Sequence, residues 1–251
     1  GKASVNGPGG NELATLTGTV QGTGLVNIFN NAGKVLAGMT NNTVSGGGYL
    51  FVNNSAGTFL GGITTNNSSG GGYLHANTSG GKDVARMTSS NGGGVVVTDN
   101  PNGAAVSYLS FNNNNGGYIG VANAAGADKA RLTINNGGSG IVSVSNASGK
   151  DVVEASVTTD NHGTVATYNS SGAVIAGLLA TSSGHGYVRA SNSAGSERAS
   201  MFSGNLGGSV NVYDLSGMQR VSMSGGGNMT VTDADGSYLS NYSSGNGVHL
   251  I

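Results

Sequence analysis

Apolar residues along this chain alternate with small or polar ones at a period of two, in short bursts that recur about every 23 residues. One column of the pattern holds Val26, Leu50, Leu74, Val96, Ile119, Val142, Val165, Val188, Val210 and Met229. Two residues on, a second holds Ile28, Val52, Ala76, Thr98, Val121, Val144, Thr167, Ala190, Val212 and Val231. Later in each burst come a small column (Ala37, Gly61, Ala85, Ser107, Ala130, Val153, Ala176, Ala199, Val221) and a large one (Met39, Ile63, Met87, Leu109, Leu132, Leu178, Met201, Met223). Period two is that of a strand, so each burst predicts two short strands sharing one inward apolar face. No window carries an apolar stripe of helical period, and a Gly at one residue in five would penalise any helix.

Glycines punctuate the bursts twice. One set precedes the first strand of each repeat, so that repeats start near 1, 24, 48, 72, 94, 117, 140, 163, 186, 208 and 227, with a half repeat at 247–251. A second set follows nine residues later, at Gly10, Gly33, Gly57, Gly81, Gly103, Gly126, Gly149, Gly172, Gly195, Gly217 and Gly236. Asn or Asp stands a few residues before that second Gly, as in Asn53 to Gly57 and Asn146 to Gly149. An Asn side chain bonds nearby amides and Gly supplies a positive φ, which predicts a tight turn. Two strands and two turns in about 23 residues suit one flattened coil of a β-solenoid, with strands about 4.8 Å apart. The fold expected is all-β, a single repeat domain over 1–251: a β-solenoid of about eleven 23-residue two-strand repeats, with a trimeric β-fibre as the alternative. A propeller blade needs about 40 to 45 residues and the columns show no double period.

Composition narrows the function. Gly (48), Asn (31) and Ser (32) dominate the 251 residues, charged residues are 8%, and the net charge is −1. That balance provides no electrostatic footprint for nucleic acid or anionic lipid. The absence of Cys removes disulfides, thiolate metal sites and cysteine nucleophiles. No run approaches 18 apolar residues, which argues against a membrane-spanning helix. The fixed phase of Val, Leu and Ile argues against a disordered low-complexity coil. A chain starting at Gly1 reads as a processed product or a fragment. With so few apolar side chains per repeat, further burial against another copy is expected. The half repeat Gly247, Val248, His249, Leu250 and Ile251 is the candidate strand for docking on a neighbour.

Candidate chemistry is sparse. His162 and His185 lie 23 apart, but no third ligand shares their column. Acidic residues gather two places after the turn Gly (Glu12, Asp83, Asp128, Asp151, Glu197), interrupted by apolar residues in other repeats, which reads as rim charge rather than a carboxylate ladder. Tyr49, Tyr73, Tyr118 and Tyr187 share the position after the first Gly and are expected on the face opposite the apolar columns, as a stripe for protomer contact or sugar stacking. Sequons occur at Asn41, Asn53, Asn66, Asn67, Asn77, Asn146, Asn169, Asn228 and Asn241, possible glycosylation sites where the source glycosylates. No catalytic, cofactor-binding or metal-binding residue is identified.

A unit such as Gly140-Ile-Val-Ser-Val-Ser-Asn-Ala-Ser-Gly149 resembles the Gly/Asn-rich β-repeats of bacterial surface, biofilm-filament and phage tail-fibre proteins. That resemblance implies an extracellular or cell-surface structural protein without cofactors. The expected function is self-assembly into an extracellular filament or fibre, with the chain itself as partner and no enzymatic activity. The alternatives are a phage tail-fibre or adhesin shaft that binds a receptor or glycan, and a β-solenoid carbohydrate-active enzyme.

Overall fold

The computed structural model describes all residues except 19–21, 42–45, 66–70, 91–92, 113–115, 206, 244–246 and 251, with backbone alone at 90, 241–243 and 247–250. The chain divides into two compact units, 1–128 and 129–251. The first holds β1 (Lys2–Asn6), β2 (Glu12–Gly18), β3 (Gly24–Phe29), β4 (Val35–Asn41), β5 (Gly48–Asn53), β6 (Phe59–Thr65), β7 (Gly72–Asn77), β8 (Asp83–Ser90), β9 (Gly93–Asp99), β10 (Ala105–Phe111) and β11 (Gly117–Ala122). The second is made by β12 (Asp128–Ile134), β13 (Gly140–Ser145), β14 (Asp151–Val157), β15 (Gly163–Tyr168), β16 (Val174–Ala180), β17 (Gly186–Ser191), β18 (Glu197–Gly204), β19 (Gly207–Tyr213), β20 (Gln219–Ser224), β21 (Met229–Thr232), β22 (Tyr238–Ser243) and β23 (Gly247–Leu250). Among the described residues there is no helix.

The all-β class and the repeating two-strand unit are therefore as the periodicity predicts, a solenoid-like repeat. The path of the chain differs from a stack of coils in one respect. Within each unit every strand pairs antiparallel with the one before and the one after it, for example β4 with β3 and β5, and β17 with β16 and β18. One repeat thus advances the ladder by two strands, about 9.6 Å.

The turns cause this path. In Asn54 to Thr58 the Asn54 amide donates to the Thr58 carbonyl and the Gly57 amide to the Asn54 carbonyl, while Asn54 Oδ1 accepts from the Ala56 and Thr58 amides. Gly57 has φ +87°. A tight turn closed by a left-handed Gly and a bulge reverses the chain within the sheet plane, so it makes a hairpin. The same geometry closes the opposite end of the strands at Asn135 to Ser139 and Thr181 to His185, and Asn161, at φ 62°, takes the Gly position in Thr158 to His162. Replacing Gly149 (φ +83°) by Val places a β-branched residue in the left-handed region. We expect a loss of about 1–2 kcal/mol, read as a lowered urea midpoint.

A bulge follows the turns closed by the second Gly of a repeat, such as Asn54 to Thr58, whereas the strands joined by the opposite-end turns keep their register. Val52 faces Gly61 while Asn53 faces Phe59, which leaves Leu60 as the extra residue. In β8 the same step puts Asp83 opposite Asn77 and Arg86 opposite His75. Asp83 and Arg86, three apart, thereby share the face that the aliphatic columns do not occupy.

The expected inward face is not the covered one. The aliphatic columns remain about half exposed, whereas the buried residues Val97, Asp99, Ser143, Ala166, Ser200 and Asn211 lie on the other face. A hairpin ladder one strand thick carries no second layer over its aliphatic side. Cross-strand neighbours about 4.8 Å away cover the flanks of these side chains but leave their outer surface open to water. On the opposite face, long and aromatic side chains lie over adjacent glycines and shield one another: a Cβ on Gly38 would fall 2.4 Å from the Phe51 ring, and one on Gly120 would fall 2.3 Å from the Tyr108 ring.

Candidate functional site

The largest continuous chemical feature is the aliphatic face. Strand register strings one large residue per strand into a row: Leu16, Val26, Met39, Leu50, Ile63, Leu74, Met87, Val96, Leu109, Ile119 in the first unit. Exposure along it runs from 38% at Val26 and Val96 to 57% at Leu16 and Met39. The second unit repeats the row from Leu132 and Val142 through Leu178, Val188, Met201 and Val210 to Met223 and Met229, with Ala155 in one place. Beside it runs a row of smaller residues, Ala14, Ile28, Ala37, Val52, Gly61, Ala76, Ala85, Thr98 and Ser107. No charged residue stands in either row, and the rows of the first unit hold no aromatic one; in the second unit the register continues from Met229 to Tyr242 in β22. A shallow hollow of about 520 Å³ opens on this side of the second unit, lined by Val188, Met201, Val210 and Met223 together with Gly186 and Gly208.

The other face carries the polar chemistry. Tyr73 donates to Asp83 Oδ2 and His75 Nδ1 lies 3.1 Å from Asp83 Oδ1. Arg86 Nη1 reaches Asp99 Oδ2 at 2.6 Å, and Arg131 Nη2 reaches Asp151 Oδ2 at 2.5 Å. Lys2 pairs with Glu12, Arg220 with Asp214, and the Tyr118 hydroxyl with Asp128. Of the acidic residues two places after the turn Gly, Glu12, Asp83, Asp128 and Asp151 are thus held by local partners. They do not form a continuous carboxylate ladder.

The Tyr73–Asp83 contact sets a pH dependence. Burial raises the Asp83 pKa, but hydrogen bonds from Tyr73 and His75 and the charge of Arg86 outweigh it and leave the carboxyl below its usual range. Burial first, then the hydrogen bond to Asp83, pushes the Tyr73 phenol well above its usual range. A lowered carboxyl contributes stability above about pH 4 that is lost as pH falls through its folded value. A raised phenol contributes stability below about pH 10 that is lost as pH rises, because the unfolded chain ionises first. Tyr73→Phe should shrink both the alkaline loss, to which the raised Tyr49 and Tyr168 phenols still contribute, and the acid one, measured as urea midpoints across pH.

The four tyrosines lie half-buried on this polar face. Tyr49 stacks on Phe51 at 5.2 Å, Tyr73 lies 4.4 Å from His75, Tyr118 stacks on Tyr108 at 5.4 Å, and Tyr187 meets Phe202 edge-on at 6.4 Å. His162 sits over Gly184, and His185 Nε2 is 2.8 Å from Asn205 Oδ1. Among the described residues no three His, Asp or Glu side chains gather as a metal site. Of the sequons, Asn41, Asn53 and Asn77 end strands, and Asn146 and Asn169 cap turns. Asn53 Nδ2 donates to the Val35 carbonyl and Asn77 Nδ2 to the Gly81 carbonyl. Asn228 closes the turn that starts at Ser224, and Asn241 lies in β22. Asn66, Asn67 and Ile251 lie outside the described residues. Gly247, Val248, His249 and Leu250 pair with Ser243 to Ser240 of β22.

Sequence reasoning missed one set of residues. Asn30, Asn100 and Asn169 cap their own turns through Oδ1 and donate through Nδ2 to the turn carbonyls of the next repeat, at Ser55, Ala124 and Ser193. Lys129 and Arg198 reach the corresponding carbonyls at Ala147 and Leu215. The recurrence of Asn, which both donates and accepts, in this position is the signal that marks the link.

No protein-family model and no curated protein matches the sequence. Among solved structures the chain is similar to the wild-type TCP10 domain of Danio rerio CPAP, at 12% identity and a TM-score of 0.27, over 96% of this chain and 100% of that one. It is also similar to the G-box domain of the microcephaly protein CPAP, at 13% identity and a TM-score of 0.24, over 84% of this chain and 97% of that one. A TcdB2–TccC3 structure without its hypervariable C-terminal region follows at 10% identity and a TM-score of 0.22, over 98% of this chain and 17% of that one.

Proposed function

We propose that this chain is a structural protein that self-associates into an extracellular filament or fibre. The observation that supports this best is the aliphatic row, where strand after strand places a Leu, Ile, Val or Met at a position about half open to water. A contiguous apolar surface of that kind marks a face that another surface covers. The extracellular setting draws its support from the likeness of the repeat unit to surface and fibre repeats. Electron microscopy of the purified chain tests the reading, with elongated assemblies expected and discrete particles at every concentration contradicting it. Met39→Lys combined with Ile63→Lys should abolish assembly while leaving the circular dichroism of the sheet intact, because both side chains are more than half exposed.

A further inference from the structure

We propose that the aliphatic face packs against the same face of a second copy, about a two-fold axis that runs along the ladder between its two rows. This deepens the self-association reading and rests on it. Rotation about such an axis lays each strand over its own counterpart, reversed, and exchanges the large row with the small one. Met39 then sits over Ala37 of the other copy, Ile63 over Gly61 and Met87 over Ala85, so that knobs meet gaps at β4, β6 and β8, while at β3 and β5 Val26 meets Ile28 and Leu50 meets Val52. An axis along the strands would instead set large on large and leave the small rows apart, which wastes packing density.

Three observations select a second copy as occupant. Neither row holds a charge, so nothing need be desolvated unpaired, whereas the opposite face carries the ion pairs. Across β1 to β11 the rows also hold no basic or aromatic residue, the side chains with which a membrane-surface element anchors. Across β1 to β11 the two rows span about 48 Å by about 13 Å, on the order of 650 Å² before side-chain relief. A standard interface buries roughly 800 Å² per partner.

The chain has no Cys, so paired thiols report the contact directly. Met39→Cys and Ala37→Cys are purified separately and oxidised alone and mixed. The mixture should give a covalent dimer in several-fold excess over either variant alone, because like residues stand a row apart and beyond disulfide reach. Predominant like-with-like crosslinking overturns the proposed axis. If the variants lose their sheet signal, sedimentation of the unaltered chain decides: a dimer or larger species supports the pairing and a monomer overturns it, as does a monomer that binds phosphatidylcholine vesicles. Filaments that form without the mixed crosslink would leave the fibre reading standing and remove this one; crosslinked dimers that never elongate would do the reverse.

Discussion

Arg86→Met should cost about 3–5 kcal/mol, because it strands a carboxylate that has left water. The Asp99 side chain is 0% exposed, and its Oδ2 meets Arg86 Nη1 at 2.6 Å across β8 and β9. The guanidinium also lies 4.0 Å from Asp83, so one cation serves two acids. Removing one partner of a buried pair leaves the other uncompensated, while replacing both by apolar residues is often neutral. Asp99 lies on the same face as Val97, two residues away and itself buried, so Arg86→Met with Asp99→Val should recover most of the loss. Urea titration of the three variants checks this. A single-variant loss below about 1 kcal/mol would show that Asp99 is hydrated or otherwise paired.

Gly61→Val should be the most damaging glycine substitution on the aliphatic face. A Cβ at Gly61 would stand 2.5 Å from the His75 carbonyl oxygen and 3.2 Å from the Ala76 Cα, both backbone atoms fixed by the β6–β7 ladder. The strands must separate to admit it, at about 1–3 kcal/mol for overpacking, with Val at the upper end. Gly48→Ala is the control, since a Cβ there meets nothing within 4 Å and should be near neutral. Gly38→Ala should fall between, because its obstacle is the Phe51 ring, which can turn aside. Equal losses at Gly61 and Gly48 would contradict the close approach of β6 and β7.

Much of this fold is written in the glycines. All eleven that stand nine residues into a repeat have positive φ, from Gly10 to Gly236. Gly24, Gly48, Gly72, Gly117, Gly140, Gly163 and Gly186 each open a strand. The phase slips where the spacing shortens: Gly227 is a turn residue at φ 83°, and its strand starts at Met229. Period two identifies side chains that share a face, but it carries no information about what covers that face. Val26 and Leu50 were therefore legible as one row and not as an exposed one. The polar face was harder to read because the bulge after the turn inside a repeat shifts the phase by one residue. Without it Asp83 and Arg86 would point to opposite sides, and the Arg86–Asp99 pair has no signature in linear spacing. The tight turn at Asn54 to Gly57 was legible, yet its consequence, direct pairing of the two strands it joins, follows only from its full geometry.

Cryo-electron microscopy of assembled protein tests the central claim most directly. A ladder that gains two antiparallel strands per repeat predicts an axial period of about 9.6 Å together with the strand spacing of about 4.8 Å, and two sheets facing each other about 10 Å apart. Assemblies whose 23-residue repeat advances only one strand spacing, or isolated particles with a solvent-covered aliphatic face, would contradict it.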